Sequence, residues 1–585
     1  MQIEHIFERE RISKNSEDAA FLLTNKNLGY CYFSEKPKSR YEGVFFQING
    51  KVFRVIAEIG IKGKLKKIIN RFYEIERICS ENSEKFFIPF FKNSLVYELK
   101  KSCYITLKLD IRGIYSQENF GRYYSIFEEN GKLIVKYTKK NEIDGSIEYE
   151  TYLVIHGAEK YEKIDKWEKV FYERDKERNS WPFELYIYSA LRIKAKRLIF
   201  CFSENKDKAT KEADDIAKNT DLLKEMQRVT VMKNLSLDRK KFLRELKFAY
   251  LCCLNSLNQL RDSEGIIAGL PWFFQHWTRD ELVTMSIFEP KERKKILLKY
   301  LKKIKEDGRV ENILNSEKTN ADSVGWLFKR ISENLVLFSP KEKKIIADIL
   351  EDVVDRLQIR YMMNGFIYNE KCETWMDTSF ADDKGRDGAR IEIQAMFLNM
   401  LLLAYKLTGN EKYKKSEERL REKLRRDFWN GKILADGFQD FTIRPNIFLA
   451  FYIYPKILSR EEWEICFENS LKKLWCNWGG ISTIDKEHHL FFPKDTGEDP
   501  RSYHRGNSWF YLNNLTALSL HRINKKKFKR YIEKILDAST KDILWNGAIS
   551  HHSELSSAGK LSANGCVAQA WSAATYIEAI NEIFG

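Results

Sequence analysis

The feature that most constrains this chain is a change of hydrophobic period near residue 205. Before it, stretches such as KSCYITLKLDIRG, GKLIVKYTKK and SIEYETYLVIHG alternate polar and apolar residues and end in Gly, Asn or Asp. A period of two predicts half-buried strands joined by turns. PFELYIYSALRIKAKRLIFCFS reads as a further pair of strands, and LKKIINRFYEIERI fits either a helix or a strand with a charged face. SENKDKATKEADDIAKNTDLLKEMQ then breaks the alternation as a charged, helical or mobile linker. Beyond it the apolar residues recur with a helical period to the end. The expected helices lie near 237–260, 291–305, 322–336, 341–359, 390–408, 411–428, 460–474, 503–522, 526–538 and 566–581, with shorter candidates from Arg279 and Arg444.

A chain of 585 residues exceeds one ordinary core. The expectation is multidomain: an antiparallel β-sandwich-like domain over 1–205, a connection over 206–234, and an all-α domain over 235–585. AMFLNMLLLAYKL is apolar nearly all round, whereas KYKKSEERLREKLRRDF after it is amphipathic. Buried helices alternating with wetter ones predict two concentric layers. Close to twelve helices in two layers make an (α/α)6 barrel, with the loops leading into the inner helices converging at one end.

Composition narrows the function classes. The formal charge is +16, mostly lysine in runs such as KERKKILLKYLKKIK. Such runs read as solvated helix faces, and no nucleic-acid motif accompanies them. The ten cysteines contain no CxxC pair, and the nine histidines show no metal-ligand spacing, so neither metal nor cofactor is expected. The start, MQIEHIFERE, is charged from the outset, and no run of 18 apolar residues follows. A cytoplasmic protein without membrane or nucleic-acid partners is the expectation.

The loops before the apolar helices carry the unusual residues. TWMDTSFADDKGRDGARIEIQAM sets Trp375, Asp377 and Glu392 around a helix entrance, where a carboxylate is either a cap or half of a catalytic pair. GLPWFFQHWTRDEL gathers Trp272, Trp277, Arg279 and Asp280, the last also suited to a first-turn acid facing the helix dipole. DFTIRPNIFLAF and PRSYHRGNSWFYLNNL add Arg444, His504 and Trp509. HHSELSSAGKLSANGCVAQAWS places Glu554 in a Gly/Ser-rich loop, with Gln569 behind it. Indoles stack on the C–H faces of pyranose rings, while carboxylates and guanidinium groups pair with vicinal hydroxyls. Glycosidic cleavage needs one protonated acid and one carboxylate, and an apolar wall raises an acid's pKa. Phosphoryl transfer and serine hydrolysis fit poorly, because neither GxxxxGK[ST] nor GxSxG is present.

These motifs resemble a known family. AGLPWFFQHWTRDE, TNADSVGWLF, TWMDTSF, IEIQAMFLNML, FTIRPNIFLAF, SYHRGNSWFYL and CVAQAWSAA, over about 265–575, are similar to the C-terminal domain of glycogen debranching enzymes, the amylo-α-1,6-glucosidases. FLLTNKNLGYCYFSEKPKSRYEGVFF resembles the opening of the β-sandwich in their short prokaryotic and archaeal members, with Glu42 where a histidine is usual. The resemblance implies an (α/α)6 barrel and inverting release of glucose from α-1,6 branch points of glycogen-like glucans. It implies Asp377 as general acid, Glu554 as general base, and glucose-binding roles for Trp272, Arg279, Asp280, Arg444, His504 and Trp509, with Glu392 at the pocket rim. Trp277, Trp375 and Gln569 complete the expected binding set. No region resembles the family's glucanotransferase barrel, so a separate phosphorylase or transferase would trim the outer chains. An exo-glucosidase of the same fold acting on α-1,4 links or a disaccharide, or a non-catalytic carbohydrate-binding protein, would use the same residues.

Overall fold

The structure is a computed structural model that describes residues 1–235, 242–262 and 264–585. The helix expected over 237–260 falls partly on residues outside this set, and is seen as Arg244–Gln259. The chain forms two compact units. The first is Met1–Asp262 with Ile543–His551, and the second is Ser263–Asp542 with His552–Gly585.

The first unit is built on a mixed β-sheet. Its longest strands, Ser94–Gly113 and Glu184–Ser203, pair antiparallel along most of their length. The expected pair of strands in PFELYIYSALRIKAKRLIFCFS is thus one 20-residue strand. The Gly, Pro, Asn and Asp residues that would turn it are missing from its interior, and bulges absorb its twist instead. LKKIINRFYEIERI forms the antiparallel strands Leu65–Asn70 and Ile75–Cys79, not a helix. The antiparallel expectation fails at two places. Gln2–Phe7 runs parallel to Leu65–Asn70, and Ala548–Ile549 runs parallel to Ala20–Thr24. Parallel partners are brought together by the tertiary path, which local periodicity does not encode.

The segment after residue 205 is a helix, Lys206–Asn234, capped by Asn205 accepting from Lys208 N. Ala209, Ala213 and Ile216 pack it onto Phe87, Val96, Ile134, Val154 and Ile199 of the sheet. A segment read as a connection is therefore part of the first unit's core.

In the second unit, six helices pack each against the next and close a ring. They are Thr278–Thr284, Ser323–Glu333, Ile391–Thr408, Asn446–Ile453, Phe510–Asn524 and Ala570–Phe584. Each is buried almost throughout. Pro290–Leu301, Pro340–Tyr361, Glu411–Phe428 and Arg460–Leu474 alternate with them in sequence and are buried on one side only. Packing is tight: a Cβ at Gly325 would lie 2.5 Å from the Met396 side chain on the next ring helix. Ile391–Thr408 is long and apolar enough to cross a membrane, but most of it is buried inside this unit.

Two expected helices begin late. In the stretches ahead of them, 503–509 and 566–569, short ladders form, Ser508–Trp509 with Leu555–Ser556 and Ala568–Gln569 with Gly269–Leu270. These ladders tie the loops ahead of three ring helices to one another.

Candidate active site

The residues that directly precede the ring helices define one end of the second unit. Trp277, Asp322, Arg390, Pro445, Trp509 and Gln569 occupy the N-cap positions. A cavity of about 230 Å³ opens among three of them, Trp277, Trp509 and Gln569. That is smaller than the roughly 300–1,000 Å³ of clefts that take drug-sized ligands, and suits a single ring. Larger grooves on the first unit, up to about 840 Å³, are lined by lysines and glutamates without a tryptophan wall.

Aromatic rings make up much of the wall. Trp375 meets Trp509 edge-on at 5.5 Å, Trp571 meets Trp509 edge-on at 5.8 Å, and Phe273 meets Trp277 edge-on at 5.9 Å. Trp375 is fixed by its indole N–H donating to Asn446 Oδ1 at 2.7 Å, and Trp509 by donating to the Tyr503 carbonyl at 2.9 Å. Among the described residues, the indole nitrogens of Trp277 and Trp571 and Oε1 of Gln569 are buried without a hydrogen-bond partner. Buried polar groups are otherwise almost always paired, so these three wall residues keep capacity for a ligand's hydroxyls.

Three acids line this cavity: Asp280, Asp377 and Glu554. Asp377 lies fourteen residues before the Ile391–Thr408 helix, whose N-cap is Arg390, so it is not that helix's cap. Burial pushes its carboxyl up to about 6, with the Arg279 guanidinium opposing. Asp280 is pushed up to about 7 by burial and by the charges of Glu554 and Asp377, again against Arg279, and accepts from Gln569 Nε2 at 3.1 Å. Glu554 is buried and doubly held. The Tyr503 hydroxyl donates to Oε1, and Cys566 N donates to Oε2 at 2.8 Å. A Cβ at Gly565, where φ is +67°, would fall on Glu554 Oε2, so glycine leaves this loop room to close on the acid. The cavity therefore sets two differently held carboxyls, Asp377 and Glu554, within one aromatic-walled space.

Arg279 lines the cavity with its Nε donating to Asp322 Oδ2 at 2.7 Å. Burial works against its charge, but Asp322, Asp377 and Asp280 outweigh that and keep it firmly protonated.

Not every expected residue reaches the cavity. Trp272 is half-buried off the wall, and its neighbour Phe273 takes the place on it. Glu392 is not at the rim. It is fully buried and bidentate to Arg386 at 2.6 and 2.9 Å, with Asp436 on the same guanidinium. A charge at that depth persists only when paired, which makes Glu392 part of the scaffold. Arg444 donates to the carbonyls of Thr483 and His504 at 3.2 and 2.9 Å, and so holds the loop carrying His504. His504 stacks on Trp509 and shares a hydrogen bond with Thr378 Oγ1 at 2.9 Å. Burial and the nearby Arg505 keep it well below the usual imidazole range, hence neutral. Sequence reasoning missed Tyr503 and Asp322, which carry no local signal because their partners are distant in the chain. Among the described residues, no group of three or more His, Cys, Asp or Glu side chains is arranged to hold a metal ion.

A family model described as Amylo-alpha-1,6-glucosidase matches residues 242–578. No curated protein matches. Among solved structures, a bacterial glucoamylase complexed with acarbose is similar over 97% of this chain and 96% of its own, with a TM-score of 0.60 at 12% identity. A GH63 mannosylglycerate hydrolase from Thermus thermophilus, in complex with Tris, covers 56% of this chain and 99% of its own, with a TM-score of 0.42 at 10% identity.

Proposed function

The chain belongs to the amylo-α-1,6-glucosidase family, and on that premise we propose that it is an inverting glycoside hydrolase that releases glucose from α-1,6 branch points of glycogen-like glucans. The carrying observation is the pairing, in one tryptophan-walled cavity, of Asp377, raised to about 6, with Glu554, held by two donors. The six-helix ring is the inner layer of an (α/α)6 barrel.

The terminal glucose stacks against the Trp277 and Trp509 walls. Arg279, Asp280 and Gln569 take its hydroxyls. Protonated Asp377 donates to the glycosidic oxygen as the C1–O bond breaks. Glu554 removes a proton from a water that attacks C1 on the opposite face, so α-linked substrate leaves as β-glucose. Each carboxyl ends in the other's initial protonation state, and exchange with solvent resets both. A volume near that of one ring supports attack at chain ends or single-residue stubs rather than mid-chain.

A second reading, α-1,4 exo-glucosidase, is motivated by the whole-chain fold likeness to a bacterial glucoamylase. Glucose release from isomaltose, maltose, trehalose and a branched limit dextrin separates the two, and early NMR spectra report the anomer. Limit dextrin and isomaltose cleaved with β-glucose first is the expected result. Preference for maltose transfers the assignment to the second reading. Early α-glucose overturns the mechanism, and binding without release from any of the four overturns both.

A further inference from the structure

Two residues before Glu554, the chain returns to the second unit after its excursion through 543–551. The ends of that excursion, Asp542 and His552, are both fully buried. His552 Nδ1–H donates to Asp542 Oδ2 at 2.7 Å, and Ser553 N donates to the same oxygen at 2.9 Å. His552 Nε2 faces the Asn514 side-chain amide at 3.4 Å, which supplies the N–H that the Nδ1–H tautomer needs there. Asn514 is itself fixed by donating to the Ser572 carbonyl and accepting from Ser539 Oγ. The His552 carbonyl accepts from Gln569 N at 2.8 Å, and the Gln569 side chain donates to Asp280.

One buried carboxylate thus anchors two consecutive residues, 552 and 553, directly ahead of Glu554, and through the His552 carbonyl the strand that carries Gln569. Nothing in the proposed chemistry uses Asp542 or His552. Burying an aspartate has a cost that such an arrangement must offset, and a site that works by geometry is where it would be kept. Resting on the proposed assignment of Glu554 as the base, we propose that Asp542, acting through His552 and Ser553, is a positioning residue that fixes the Glu554 carboxylate between Tyr503 and Cys566 and against the attacking water.

The experiment compares kcat, KM and the pH profile of glucose release for wild type, Asp542→Asn, His552→Gln, His552→Asn and Glu554→Gln. Asn at 552 can place an amide N–H where Nδ1–H stood, whereas Gln places it near the Nε2 position. Asp542→Asn and His552→Gln should lose about 10–100-fold in kcat, since a displacement near 1 Å can cost about 100-fold. KM should change less than kcat, because Trp277, Arg279 and Asp377 belong to other segments and only Gln569 of the binding set hangs from the His552 carbonyl. Titratable and charged groups around Glu554 include Tyr503, Cys566 and Asp280, with Asp377 and Arg279 on the same cavity wall. With the carboxylate drawn away from the Tyr503 donor, the acidic limb of kcat/KM should move to higher pH. His552→Asn should restore most of the turnover and the wild-type limb. Equal losses in the Asn and Gln variants of His552, or a kcat loss with an unmoved limb, would overturn the proposal in favour of mere packing. If Asp542→Asn does not fold, the two His552 variants decide alone. Wild-type kcat in Glu554→Gln would overturn the assignment of the base and this inference with it. An inactive Glu554→Gln beside undiminished Asp542→Asn and His552→Gln overturns this inference alone.

Discussion

The proposed division of labour between Asp377 and Glu554 rests on how each carboxyl is held. Tyr503 donates to Glu554, and removing a donor to the charged form disfavours that form. Tyr503→Phe should therefore move the acidic limb of kcat/KM to higher pH and lower turnover about tenfold at neutral pH, in a protein with unchanged circular dichroism. An unmoved limb would show that the phenol does not tune the proposed base. Asp377 makes the opposite case. Its folded pKa lies near 6 against an ordinary value of 3.8, so it favours the folded state only below about pH 4, and that contribution is lost as pH rises through 6. Asp377→Asn should consequently gain stability over wild type as pH rises from 4 to 8, on the order of 1–3 kcal/mol, while losing at least about 100-fold in kcat. Urea denaturation at the two pH values checks the sign; a gain confined to pH 4 would refute it. TWMD and WTRDE were legible because Trp, Arg and Asp crowded before an apolar run are unusual. Glu392 misled, because its motif looked like a pocket rim while the guanidinium that pairs with it comes from Arg386 in a buried network.

At the scale of elements, apolar periodicity placed four of the ten expected helices closely: Pro340–Tyr361, Ile391–Thr408, Glu411–Phe428 and Arg460–Leu474 lie within a residue or two of expectation, whereas the helix expected over 526–538 runs on to Trp545. Two of the misses share a cause. Phe510–Asn524 and Ala570–Phe584 start late because the residues ahead of them pair with strands distant in the chain, Ser508 with Ser556 and Gly269 with Gln569. Hydrogen bonds of that range leave no periodic trace. Close helix packing is likewise invisible until the partner is known. Gly325→Ala sets a methyl against Met396 and should destabilise the fold by about 1–3 kcal/mol. The denaturant midpoint reads this, with kcat per folded molecule retained; an unchanged midpoint would mean that Met396 shifts freely.

For the whole molecule, the matched family region begins at 242, yet the first compact unit keeps Ile543–His551 for itself. Ala548–Ile549 pairs with Ala20–Phe21 as the last strand of that unit's sheet. A protein starting at residue 242 would leave this strand without its partner and expose its edge. We expect such a truncation to melt at least about 5 °C lower or to aggregate, read by calorimetry and light scattering against the full chain. Equal melting would show that the strand is dispensable. By itself the sequence determined the two secondary-structure regimes and the motifs with the acids and tryptophans of the site, because side-chain period and local composition are properties of neighbouring residues. Tertiary structure alone decided the parallel strand pairings, the return of 543–551 to the first unit, and which of the gathered polar residues face the cavity. Those outcomes rest on contacts between segments far apart in the chain, and on burial, which raises the Asp377 carboxyl and leaves Glu392 paired inside the scaffold.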